Sequence, residues 1–178
     1  MINVIVDFET LGNKPSAKIL QAGLVSFDDY YNIIDEFSIN IDPEKQDNRT
    51  EDRDAIEFWM NQPKKVQSSV LKSPEHPKVA ADKIMNFFSQ YRNIRLWCNH
   101  IMFDMRILES FLQQYYAEDL ILTEDVAMSY NHIEDYSTIR NHIVRSVGNE
   151  FYDYCAEQYK EFGKESLMPH NAVDDCKF

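Results

Sequence analysis

The sequence predicts an α/β fold: a mixed β-sheet with three antiparallel N-terminal strands, flanked by helices. Two observations lead there. Strand-like runs occupy the first 41 residues, and from about Ala55 onward helical patterns take over and alternate with shorter apolar runs. The 178 residues, 44% of them hydrophobic, can build one core, and the absence of internal repeats or Pro/Gly/Ser-rich linkers makes residues 1–178 a single domain.

The elements follow in order. Ile2 to Phe8 is a β-rich run closed by the turn residues Gly12-Asn13-Lys14-Pro15, and its near-continuous apolar character marks an interior strand. Ile19 to Phe27 and Ile33 to Ile41 form a hairpin across Asp28-Asp29-Tyr30-Tyr31-Asn32, which completes an antiparallel meander. Pro43 to Asp54 is a polar loop. Helices are predicted at Ala55–Asn61, Lys64–Leu71 and Val79–Tyr91, punctuated by Pro63, Pro74 and Pro77. Arg95–Cys98 is short enough for a strand, and Met105–Tyr115 carries Ile107, Leu108, Phe111 and Leu112 at helical spacing. Tyr136–Val144 and Glu150–Phe162 also read as helices, and the segment from Glu150 to Lys164 as an amphipathic face against the domain or a second subunit of a homodimer.

Composition excludes several functions. The net charge of −12 argues against polyanion binding through general positive charge, and four glycines leave no Gly-rich phosphate loop. The three cysteines, Cys98, Cys155 and Cys176, have neither disulfide-framework nor zinc-site spacing, which fits a reducing cytoplasm. No apolar run approaches the roughly 20 residues needed to cross a bilayer, and Asp7 and Glu9 stand where a secretory leader would be apolar. The expectation is a cytoplasmic protein without a membrane.

Three features carry possible chemistry. The first strand ends in Asp7-Phe8-Glu9, and side chains two apart on a strand share a face, about 6.5–7 Å from each other. With 30 acids in the chain such pairs arise by chance at solvated strand ends; on an interior strand, however, unpaired charges are costly and a shared cation would offset them. Asp104, in Asn99-His100-Ile101-Met102-Phe103-Asp104, follows a strand and precedes a helix, where an ordinary N-cap would account for it. Pro169-His170-Asn171-Ala172-Val173-Asp174-Asp175 places a histidine before a helix that Asn171 would cap, and spacing alone leaves open whether Asp174 or Asp175 is its partner.

Taken together and in this order, the three features resemble the DnaQ-like 3'-5' exonucleases of the DEDDh type, which have the RNase H-like fold. Asp7 and Glu9 match the D-x-E motif, Phe103-Asp104 the second motif, and His170, Ala172 and Asp175 the H-x-A-x-x-D motif, so the resemblance selects Asp175 over Asp174. Ile56-Glu57-Phe58-Trp59 with Gln62, and Trp97-Cys98, are most similar to the phage exonuclease A group and its bacterial exoribonuclease relative. The resemblance implies a hydrolase releasing nucleoside 5'-monophosphates from the 3' end of single-stranded RNA or DNA. It implies two Mg²⁺ or Mn²⁺ ions held by Asp7, Glu9, Asp104 and Asp175, with His170 as general base. Histidine suits that role because it ordinarily titrates near about pH 6.5. Thr10 and Leu11 would hold the terminal nucleotide, and Trp59 and Phe103 would stack on bases unless they serve the core. The alternatives are a catalytically silent nucleic-acid-binding module on the same fold and a hydrolase of short oligonucleotides; retention of all five site residues favours the active enzyme.

Two local features remain. Three residues follow Asp175, so either the last predicted helix is very short or this is a shortened form, and packing must hold Asp175 in place. Between Met60 and Arg95 seven basic residues face two acidic ones, either as a path for a nucleic-acid backbone or as a solvated helix face.

Overall fold

A computed structural model describes residues 2–116, 132–148 and 168–177, together with 150, 153, 154 and 157. Its centre is a mixed five-stranded sheet of order β3-β2-β1-β4-β5. Strands β1 (Ile2–Thr10), β2 (Ile19–Phe27) and β3 (Ile33–Asn40) form the predicted antiparallel meander, and β4 (Ile94–Cys98) and β5 (Ile133–Asp135) extend it in parallel beyond β1. The β2–β3 turn closes because the Asp28 carboxylate accepts the backbone N–H groups of Tyr30 and Asn32 at 2.8 and 2.9 Å. Strand β5 was not expected; three residues are too few to leave a periodicity.

Alternation along β1 divides the sheet into two faces. Val4, Val6 and Phe8 enter the main core, with Ile84, Phe87 and Phe88 of α3 (Pro77–Ser89) and Ile107, Leu108 and Phe111 of α4 (Arg106–Leu112). Asp7 and Glu9 alternate with those residues and face the opposite way, toward α6 (Ala172–Asp175), which lies across β1 and β2. A smaller apolar cluster, Leu20, Trp59, Val66 and Val70, seats α1 (Arg53–Met60) and α2 (Lys64–Leu71) beside the site end of the sheet, with Leu11 and Met168 against it. Pro63 separates these two helices, and Pro77 opens α3 at a position where its missing N–H costs nothing.

The helix predicted from Met105 begins differently. A π-helical turn, Ile101–Met105, precedes α4, and α5 (Tyr136–Val147) starts at the predicted residue. Asp104 does not cap α4 but sits inside the turn. The helix predicted at Glu150–Phe162, and with it the surface assigned to a second subunit, lies largely outside the described residues. No helix among the described residues is long and apolar enough to cross a membrane.

Candidate active site

Three chain segments far apart in sequence bring the predicted residues together. Strand β1 contributes Asp7 and Glu9 from one face, at the end where β1 pairs with β2 alone: its pairing with β4 stops at Val6, and Thr10 follows an irregularity in the β2 register. This opening beyond β4 is where the π turn brings in Asp104. The His100 backbone N–H donates to Asp104 Oδ2 at 3.1 Å, whereas the buried Oδ1 makes no hydrogen bond to the protein. Asp135, at the end of β5, steadies the turn by accepting the Ile101 N–H, and Ser137 joins Asp135 to the His100 ring at 2.6 and 2.9 Å.

The third segment is residues 168–177. Asn171 caps α6 as expected, its side chain accepting from the Asp174 N–H at 3.3 Å. Asp174 in turn accepts from the Met168 N–H and pairs with Lys177, which occupies its carboxylate locally. Asp175 is free to face β1. Side-chain ligand atoms of Glu9, His170 and Asp175 lie within 4.8 Å of one another. Spacing alone had left Asp174 and Asp175 open; the fold brings Asp175 into the cluster.

The electrostatics follow from crowding acids in a dry place. Burial, then the charges of Asp104, Glu9 and Asp175, raise the Asp7 carboxyl well above its usual range. Glu9 is pushed up to about 8 by burial, then by the charge of Asp175 and a hydrogen bond with it. Asp104 rises to about 6, chiefly through burial. Asp175 is also raised by burial, against the opposing effect of His170. Four carboxyls that hold protons this tightly, one with a buried oxygen that makes no hydrogen bond to the protein, form a set of hard oxygen donors suited to a divalent cation such as Mg²⁺ or Mn²⁺.

Other predicted residues have more structural roles. Trp59 is buried, and its indole Nε1 donates to the Thr10 carbonyl at 2.8 Å, fixing the chain just past Glu9. The Thr10 hydroxyl closes the next turn on the Gly12 carbonyl at 2.6 Å. Phe103 packs against the main core, and Leu11 is half-buried against the Trp59 cluster. Phe58 was not singled out as a site residue, yet its ring meets His170 edge-on at 5.0 Å and is 42% exposed. Trp59 lies behind, 6.4 Å from the same imidazole. Of the basic stretch, Lys78 and Lys83 are engaged with Asp82 and Glu75, while Lys64, Lys65 and Lys72 on and after α2 are exposed. Cys98 and Cys176 are buried free thiols, Cys98 pushed up to about 12 by burial, so neither is poised as a nucleophile.

Residues 2–178 match the 3'-5' exoribonuclease Rv2179c-like domain. The chain belongs to this family. The family is described as a 3'-5' exoribonuclease domain, and its match spans nearly the whole chain. No curated protein matches the sequence at a significant level.

Solved structures agree at the level of fold. Escherichia coli exonuclease I bound to a dA16 oligonucleotide superposes with a TM-score of 0.66 at 17% identity, over 98% of this chain and 38% of that one. The nuclease domain of 3'hExo, a DEDDh family member bound to rAMP, gives 0.54 at 17% identity, over 99% of this chain and 86% of that one. A Methylocaldum szegediense exonuclease I gives 0.57 at 14% identity, over 94% and 31%. This chain thus spans about a third of the exonuclease I chains it resembles.

Proposed function

We propose that the domain hydrolyses single-stranded nucleic acid, RNA in preference to DNA, from the 3' end to nucleoside 5'-monophosphates, with two divalent cations held by Asp7, Glu9, Asp104 and Asp175. The observation that carries this reading is geometric: side-chain ligand atoms of Glu9, His170 and Asp175 lie within 4.8 Å of one another, and Asp7 and Asp104 are close enough to these acids for their charges to be felt. When bound, two such ions supply charge stabilisation to the attacking and leaving oxygens of a phosphodiester displacement. The family, described as exoribonucleases, supports RNA.

The chain's own groups divide the remaining work. His170 accepts the proton of the attacking water, and Asp175, whose charge interacts with the imidazole, stabilises the protonated ring that results. Leu11, together with the backbone of Thr10 that Trp59 fixes, would hold the terminal nucleotide, and exposed Phe58 is better placed than Trp59 to meet a base. Phe103 would serve from its core-packed position at the margin of the site. The exposed lysines of α2 would meet the backbone of the departing strand.

The test is a 5'-labelled single-stranded RNA and its DNA counterpart incubated with Mg²⁺ or Mn²⁺. The expected result is a ladder shortening one nucleotide at a time from the 3' end, faster on RNA and abolished by chelation. Metal-independent cleavage, or internal cuts without a ladder, would overturn the reading.

A further inference from the structure

Helix α6 has four residues, too few to be stable alone, yet it must hold Asp175 and His170 in place against β1. What fixes it comes from β2. Gln21 is paired across the sheet with Glu9 on one side and Asn40 on the other, and Gly23 is paired with Asp7. The buried Gln21 Oε1 accepts the backbone N–H of Ala172, the first residue of α6, at 2.7 Å. Its Nε2 donates to Asn40 Oδ1 at 2.7 Å, and Asn40 Nδ2 donates to the carbonyls of Ser69 and Lys72 at 2.7 and 2.8 Å. Every amide group in this line is used in the one orientation that leaves no donor facing a donor.

Gly23 completes the seat by having no side chain. A Cβ there would lie 2.2 to 2.4 Å from the Ala172 backbone and the Val173 nitrogen, so α6 rests directly on the strand. Without Gln21 the Ala172 N–H would be a buried donor with no acceptor, and the helix could relieve that only by moving.

We propose that Gln21, oriented by Asn40, is a positioning residue for the reaction: it sets the register of α6 on β2 and thereby the distance from Asp175 and His170 to Glu9. This rests on the exonuclease reading above. The line of amides also joins the site to the end of α2.

The test compares Gln21→Leu, which fills the space without either hydrogen bond, with Gln21→Glu, which in its neutral, protonated form keeps an acceptor oxygen for the Ala172 N–H and a hydroxyl donor for Asn40 Oδ1. Asn40→Ala leaves Gln21 in place but unoriented. Rates are measured on single-stranded RNA with saturating Mn²⁺, and amide exchange at Ala172 reports the seat independently of activity. Gln21→Leu is expected to lower kcat about 10–100-fold with KM nearly unchanged, as outer-sphere partners of such sites commonly do, and to expose the Ala172 amide. Gln21→Glu should recover most of both, and Asn40→Ala should fall between. An unchanged kcat in folded Gln21→Leu, or equal losses in the Leu and Glu variants, would overturn the proposal, as would a lost rate with Ala172 still protected. Should Gln21→Leu not fold, the order of Asn40→Ala and Gln21→Glu decides. An inactive parent enzyme would count against the exonuclease reading, while Ala172 exchange would still decide whether Gln21 sets the seat.

Discussion

The two halves of the site are built in opposite ways. Asp7 and Glu9 stand on the central strand of the sheet, fixed by backbone hydrogen bonds to β2 and by Val4, Val6 and Phe8 in the core beneath them. Asp175 and His170 stand on one turn of helix and the loop before it, where His170 itself has a left-handed backbone (φ 59°). That second half has no core of its own. It is held by the Gln21 acceptor, the bare Gly23 surface, the Cys176 thiol on the Gly23 carbonyl at 3.4 Å, and the Lys177–Glu36 ion pair. The difference teaches that one half of the site shares the hydrogen-bond ladder and core of the sheet, while the other depends on a few contacts to β2, so that half should open locally before the domain unfolds.

Substitutions can break that comparison at either half. Asp7→Asn should give the largest effect, loss of measurable turnover with the fold intact; because it also relieves the crowding of like charges, the melting temperature without metal should rise. His170→Ala should lose about 10²–10⁴-fold in kcat, while metal affinity falls less than in any of the acid variants, and hydroxide should restore part of the rate at alkaline pH. Gly23→Ala comes next. Displacing α6 should cost activity more than 10-fold, as roughly 1–3 kcal/mol of overpacking is relieved by moving the helix, and circular dichroism should stay native. The smallest effect serves as a control: Arg53→Ala removes an exposed ion pair with Glu57, and denaturant unfolding should shift by no more than about 0.5 kcal/mol.

The same contrast explains what the sequence could reveal. Strands β1 to β3 were legible because their apolar runs and the Asp28 turn are local, and α2 was legible because Pro63 and Pro74 frame it. The three acidic motifs were legible as types of residue in an order. The π turn was not, since Asp104 has the look of an ordinary N-cap and only the hydrogen bond from the His100 N–H shows otherwise. Gln21 and Asn40 are polar residues within strands, and nothing local says that one meets Ala172 151 positions away. A glycine in the middle of β2, one of only four in the chain, was the available signal for a close backbone approach. Phe58 was hidden because Trp59, its larger neighbour, drew the stacking role that its burial does not allow.

Protonation gives the most direct test of the central claim that these four carboxyls form a cation site. In the metal-free protein Glu9, raised to about 8, and Asp104, raised to about 6, bind protons that the unfolded chain has already released. Stability should therefore fall as pH climbs from the ordinary carboxylate range toward about 8, since the folded state carries the extra protons. A divalent ion would replace them, and by binding only the folded state it should restore the lost stability by mass action. The deciding measurement is a calorimetric titration of Mn²⁺ into the metal-free protein near pH 7 in buffers of different ionisation enthalpy. Two ions bound per chain, with net release of protons and a rise in melting temperature, is the predicted result; no heat of binding, or binding without proton release in a folded protein, would contradict it.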